Sequence, residues 1–400
     1  MSLQLSTIAQ SITPSATLGL NAIVAELKKQ GEDVISLGVG EPDFDTPVHI
    51  RKSAKEAIDA GKTRYTDAKG IPELRAAIAE HIYAHKALRY SPDEIIVSSG
   101  AKQAIVLALQ AILNPGDEVI LPSPYWISYT EMIKIAGGTP VIITTDPETD
   151  FLPTPEQLEA AVTDRTKAII INSPNNPTGN IWPRSLLAAA CELARKYDFF
   201  IVSDEIYEDL CYDGYSQISP AQISDDAKQR TILVSGFSKA YAMTGWRMGY
   251  ASGPLFAIKA MGSIQSHMTG NPNSITQYAA LTALTAPQDC VVDMAHSFAR
   301  RRTLLLFLLA QNALRPGVMP KGAFYMLLDV RPYIGKKCDG EVIDSDAKFA
   351  EMLLKKSFVA VIPGTPFGTV GFVRLSYAVS DIQISEAVRR IKKFVESLED

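Results

Sequence analysis

The sequence predicts an α/β fold: a mostly parallel β-sheet covered by helices on both faces, with a smaller α+β unit beside it. Two observations carry the sheet. Apolar runs without alternation, AIIIN (168–172) and FFIVSD (199–204), read as strands buried on both faces. Such runs alternate with helical patterns over about 200 residues, as chained βαβ units do. A third observation carries the smaller unit. From Ala286 onward the alternation gives way to one long helical stretch, then short strands and helices.

Taken in order, the β-rich runs predict strands over 34–37, 95–98, 118–121, 140–144, 168–172, 199–203, 231–234 and 248–251. A helix over 15–29 precedes the parallel region. Pro47, Pro72, Pro155 and Pro183 each stand near a first helical turn, where an N–H has no partner to lose. The tail reads as a helix over 289–313, a strand over 323–328, a helix over 347–356, two short strands and a last helix over 384–396. No internal repeat, low-complexity tract or long flexible linker is visible.

Composition narrows the function. The 400 residues are 46% hydrophobic and 21% charged, which excludes a disordered or disulfide-stapled chain. Lys and Arg number 39 against 44 Asp and Glu, a net charge of −5 with no basic stripe. Neither a nucleic-acid partner nor an anionic membrane is expected. Cys191, Cys211, Cys290 and Cys338 form no CxxC, so they read as buried or idle thiols in a reducing compartment. The stretch from Met1 to Ala25 carries no charge and no long apolar run, unlike a signal peptide. The densest apolar run, 304–310, is far short of the roughly 20 residues that span a bilayer. A cytoplasmic location is the expectation.

The sharpest motif is GFSKAYAMTGWRMG (236–249), directly after the buried strand TILVS. It sets Lys239 just past the C-terminal end of a parallel strand, where α/β sheets bind ligands. Arg247, eight residues on, brings a permanent guanidinium to an anion. The string resembles the attachment-site signature of the class-I aminotransferases, which use pyridoxal 5′-phosphate (PLP), and similarity extends over nearly the whole chain. The resemblance implies fold type I: a seven-stranded, mostly parallel sheet in a large domain, 46–288. It implies a small domain built from both chain ends, 1–45 and 289–400. It also implies a homodimer with shared active sites, and Lys239 as the residue that attaches PLP and shuttles the Cα proton. Lys suits this work because burial or a neighbouring cation readily frees its amine.

Four further stretches carry residues that match this family. In VSDEIY (202–207), Asp204 ends an apolar strand, where a bare carboxylate is costly unless paired. Read alone it is equally a helix N-cap. The resemblance makes it the partner of the pyridine nitrogen, with Tyr207 at the ring's phenolic oxygen. In NSPNNPTG (172–179), Pro and Asn enforce a turn at a strand end, and the resemblance gives Asn176 to that oxygen and to a substrate carboxylate. In SSGAKQA (98–104), a strand runs into a helix whose N-terminal N–H groups suit phosphate. Gly100, Ala101 and Lys102 match the phosphate cup, Tyr65 a tyrosine that reaches the partner subunit's phosphate, and Trp126 the aromatic that stacks on the pyridine. In GFVRLSY (371–377), Arg374 matches the fork that grips the substrate α-carboxylate. GVGEPDF (38–44) matches the loop that closes over the substrate, with Gly40 at the contact.

Two departures bear on specificity. Gly236 stands where some relatives carry a phosphate-binding Ser, which leaves Ser238 as the substitute. No second-subunit Arg is matched for a distal carboxylate. Lys102 is the alternative, as in bacterial-type aspartate aminotransferases, unless it is a solvated first-turn residue. Lys102 with Thr66 also resembles relatives that transaminate prephenate. The expected activity is therefore aspartate with 2-oxoglutarate, alternatively prephenate or both. A C–S lyase fits less well, since Lys102 favours an acidic side chain, and a PLP-binding regulatory module fits less well, since neither an added DNA-binding region nor a basic patch appears. No metal is expected: His81 and His85 lack a third ligand. The run from Arg300 to Arg302 reads as a solvated helix face or a source of interface salt bridges.

Overall fold

Residues 3–14 and 16–400 are described in the computed structural model of the chain. Ser15, the first residue of the helix expected over 15–29, lies outside the described residues, as do Met1 and Ser2. The helix itself spans Ala16–Lys29. Eight strands match the apolar runs closely: β1 (Ile35–Ser36), β2 (Ile95–Ser98), β3 (Glu118–Pro122), β4 (Thr139–Ile143), β5 (Thr166–Asn172), β6 (Phe200–Asp204), β7 (Thr231–Gly236) and β8 (Gly249–Ser252). All but β1 form one seven-stranded sheet in the order β2-β8-β7-β6-β5-β3-β4. Its inner pairs β3–β4, β3–β5, β5–β6 and β6–β7 are parallel, and only β8 runs against its neighbours.

Alternate side chains of the strands serve two cores. Ile170, Val202 and Val234 pack with the helix Ala101–Ile112 through Ala104, Leu107 and Ala108. Ile169, Ile171 and Ile201 pack with the helix Arg184–Tyr197 through Leu187, Ala190 and Ala194. Burial on both faces is why these strands lack alternation in sequence.

Further strands lie towards the C-terminal end of the chain, outside that sheet. They are β9 (Tyr325–Asp329), a hairpin of β10 (Lys337–Cys338) and β11 (Glu341–Val342), then β12 (Val359–Ala360), β13 (Ile362–Pro363) and β14 (Phe372–Ser376). An antiparallel sheet runs β13-β14-β9, and β1 pairs in parallel with β12, Ile35 opposite Val359. The last helix starts earlier than expected, at Asp381, because Ser380 and Gln383 close a capping box ahead of it.

One expectation is corrected. Arg300 is solvated, but Arg301 and Arg302 of the helix Asp289–Gln311 are only 7% and 4% exposed. A buried guanidinium must be paired. Here Asp43 and Asp213 of the same chain supply the carboxylates. Among the described residues, no helix is long and apolar enough to cross a membrane, and all four cysteines are free.

Candidate active site

Parallel register sets the site. Asn172 lies opposite Asp204, and Asp204 opposite Val234, so the C-terminal ends of β5, β6 and β7 are level. The turns that follow carry Asn176, Tyr207 and Lys239 to one cavity of about 380 Å³. Residues 38–41 and Arg374 of β14 form its opposite wall. Four cationic lining residues, Lys102, Lys239, Arg247 and Arg374, face two carboxylates, Glu41 and Asp204. That excess of positive charge favours anionic ligands.

Lys239 donates from Nζ to the Gly40 carbonyl at 2.6 Å. Burial pulls its pKa down to about 8, against Glu41 and with help from Arg374 and Arg247. A neutral amine is thus accessible near physiological pH. Asp204 is 3% exposed and has no cationic partner within salt-bridge reach among the described residues. Burial pushes its pKa up to about 6, although Tyr129 Oη donates to Oδ2 at 2.6 Å and Ile206 N–H to Oδ1 at 3.2 Å. A buried carboxylate raised in this way gains most from a cationic neighbour. Tyr207 Oη lies 3.0 Å from Tyr325 Oη, and burial holds its phenol protonated, well above the ordinary tyrosine range.

Arg374 is 2% exposed and has no carboxylate partner among the described residues. Nη1 donates to Asn176 Oδ1 at 3.0 Å and Nη2 to the Gly38 carbonyl at 2.8 Å, while Nε is left unpaired. The guanidinium lies over the Tyr325 ring, 4.4 Å from its centroid. The fork is oriented but not neutralised, the state in which an incoming carboxylate binds well.

The turn from β2 into the helix Ala101–Ile112 places a second cationic region. Gly100 has φ of +83°, and a Cβ there would stand 2.6 Å from Arg247 Nη2. Gly249 allows the same close approach: its Cβ would meet Ala101 N at 2.3 Å. Arg247 spends one bond on the Thr244 carbonyl and has no carboxylate partner among the described residues. Lys102 Nζ lies 4.8 Å from the centroid of the Trp126 ring, and burial together with Arg247 lowers its pKa.

Ser238, Ala101 and Gly40 also line the cavity. Tyr65, Thr66 and Gly100 do not. Tyr65 is 95% exposed, and Thr66 accepts from Gln277 Nε2 at 3.1 Å. Several lining residues were not singled out from sequence: Tyr129, Asn172, Tyr325, Glu41 and Thr244. Asn172 holds the site together twice, donating to the Asp204 carbonyl at 3.0 Å and accepting from Asn176 N–H at 2.9 Å. His81 and His85 are elsewhere, with ring centroids 4.1 Å apart.

Comparison with known proteins agrees with this geometry. The family model "Aminotransferase class I and II" matches residues 32–391. An aspartate/prephenate aminotransferase of Cereibacter sphaeroides is 49% identical over 391 residues, covering 97% of each chain. Among solved structures, the Thermus thermophilus aspartate aminotransferase with maleate superposes with a TM-score of 0.92 at 46% identity, covering 98% of this chain and 100% of that one. The Rhizobium meliloti aspartate aminotransferase gives 0.95 at 42% identity, with both chains fully covered.

Proposed function

The chain belongs to the class I and II aminotransferases, and on that footing we propose that it moves an amino group between L-aspartate and 2-oxoglutarate with PLP. The reaction is ping-pong. Aspartate leaves as oxaloacetate after giving up its amino group, and 2-oxoglutarate then takes that group and leaves as glutamate. The observation that carries this reading is the pairing, in one cavity, of a buried lysine amine held on the Gly40 carbonyl and a buried arginine fork with no carboxylate partner among the described residues.

The residues fit PLP. Asp204 is a buried acid whose raised pKa calls for a cation such as a protonated ring nitrogen. Arg247 and the N-terminus of the helix Ala101–Ile112 suit a phosphate. When bound, PLP supplies an electrophilic carbonyl and an electron-accepting ring. Lys239 would hold the cofactor through Nζ, and its free amine, with a pKa lowered by burial, would take the Cα proton of the substrate. Asp204 keeps the ring nitrogen protonated, and Tyr129 and Asn172 keep Asp204 in place. Tyr207 and Asn176 would hold the cofactor's phenolic oxygen, Trp126 would stack on its ring, and Ser238 would add to the phosphate contacts. Arg374 grips the α-carboxylate, and Gly40 closes beside it. Lys102 takes the distal carboxylate of aspartate.

The same reading divides the chain into 46–288 and the paired ends 1–45 and 289–400. It makes the protein a cytoplasmic homodimer in which Tyr65 reaches the phosphate of the partner subunit. A second acceptor, prephenate, is supported by the name of the Cereibacter relative and by Lys102 with Thr66. Steady-state turnover with glutamate as donor separates the two. Oxaloacetate is the expected better acceptor. Turnover of prephenate alone would replace the aspartate reading.

A further inference from the structure

We propose that Arg301 is a positioning residue for the substrate pocket, acting through Asp43 on the strap of residues 38–46 that closes the cavity. The strap reaches the site through its backbone. The Gly38 carbonyl accepts from Arg374 and the Gly40 carbonyl from Lys239, and Glu41 Oε2 accepts from Thr244 Oγ1 at 2.8 Å. Its far end is fixed by Thr46, which donates to the Ala242 carbonyl at 2.6 Å and accepts from Trp246 Nε1 at 2.9 Å. Between these two regions one strong anchor stands outside the cavity. Arg301 Nη1 and Nη2 donate in parallel to the two oxygens of Asp43 at 2.6 and 2.8 Å.

This fork is a built device. Arg301 is 7% exposed and lies 5.1 Å from the centroid of Phe44, the next strap residue, and 5.8 Å from that of Phe298. Phe44 and Phe298 meet edge to face at 5.5 Å. Asp381, 3.6 Å from Nε, is the other acid near the guanidinium. The helix Asp289–Gln311 therefore carries a rigid, planar clamp beneath the strap, two residues from Glu41. The bonds made by Gly38 and Gly40 use Arg374 and Lys239, the groups that substrate and cofactor need. They must be remade during turnover, whereas the Arg301–Asp43 bonds touch neither ligand and persist. Arg301 is thus what holds the strap in register while its inner contacts exchange.

The inference rests on the proposed reading of residues 38–41 as a wall of the substrate pocket, and the test keeps the two apart. Hydrogen exchange of the strap amides is measured on the PLP-loaded enzyme for wild type, Arg301→Gln, Asp43→Asn, the pair of changes together, and Arg301→Lys. Binding of maleate and the steady-state constants for aspartate are measured beside it. Arg301→Gln and Asp43→Asn should each speed exchange over 39–46 by about tenfold or more. They should weaken maleate binding and raise KM by a similar factor, with a smaller change in kcat. The double variant should be no worse than the worse single one, because both remove one contact. Arg301→Lys, which keeps the charge but not the fork, should recover part of the loss. Arg300→Gln should change nothing. Unchanged strap exchange in both Arg301→Gln and Asp43→Asn, each shown by its melting temperature to be folded, overturns the proposal. If wild type binds no maleate and turns over no aspartate, the substrate reading fails, and strap exchange alone still decides the role of Arg301.

Discussion

The Tyr129 hydroxyl donates to the Asp204 carboxylate at 2.6 Å, with both side chains buried. Tyr129 comes from the helix Ser128–Ile135 and Asp204 from the end of β6, so the bond ties a helix to the acid assigned to the cofactor. A hydrogen bond to a charged group contributes about 1.5–3 kcal/mol. Tyr129→Phe should lower kcat by about ten- to a hundredfold and weaken PLP binding, with little change in KM for aspartate. Kinetics and equilibrium dialysis of PLP check this. A wild-type kcat would show that Asp204 needs no such support.

Lys239 has a folded pKa of about 8, below the ordinary lysine value because of burial. Its amine is therefore free at a lower pH than in the unfolded chain. The rate at which the cofactor-free protein takes up PLP should rise about tenfold per pH unit until about pH 8 and then level off. Stopped-flow absorbance between pH 6 and 10 measures it, and a rate that keeps climbing to about pH 10 would contradict the lowered pKa. Lys239→Ala should lose turnover altogether while keeping the fold.

Arg374 and Lys102 are assigned to the two carboxylates of one substrate. Arg374→Lys loses the planar fork and should cut kcat/KM by about a hundredfold for every amino acid. Lys102→Met should cut kcat/KM for aspartate by about ten- to a hundredfold and leave alanine almost unaffected. Equal losses for aspartate and alanine in Lys102→Met would remove Lys102 from the substrate site.

Gly100 has φ of +83° and an empty Cβ position 2.6 Å from Arg247 Nη2. Gly100→Ala forces either the backbone or the guanidinium to move. At about 1–3 kcal/mol for such strain, the PLP dissociation constant should rise about tenfold or more. Unchanged affinity would mean that Arg247 does not hold the phosphate where this turn sets it.

Much of the fold was legible because both-face burial writes itself into sequence. Ile169, Ile170 and Ile171 serve opposite cores, so the run has no polar break. The site was legible where a polar residue ends such a run, as with Asp204, or where a long motif surrounds it, as with Lys239. Tyr129 and Tyr325 were not, since a tyrosine amid apolar residues reads as core until its hydroxyl finds a partner across the fold. Arg301 was missed for a related reason. Three arginines in a row look solvated, and the middle one is buried against acids distant in sequence, Asp43 above all and Asp381 beside it. Asp381 was placed outside its helix because the apolar pattern was read from Ile384, four residues after the cap Ser380.

The proposed work of this cavity is to remove the amino group of aspartate. The most direct test mixes the purified PLP-loaded protein with L-aspartate alone and follows the visible band of the bound cofactor. Rapid loss of that band is expected, with one equivalent each of pyridoxamine phosphate and oxaloacetate formed per site. A cofactor band that aspartate leaves unchanged, with no oxaloacetate released, would contradict it.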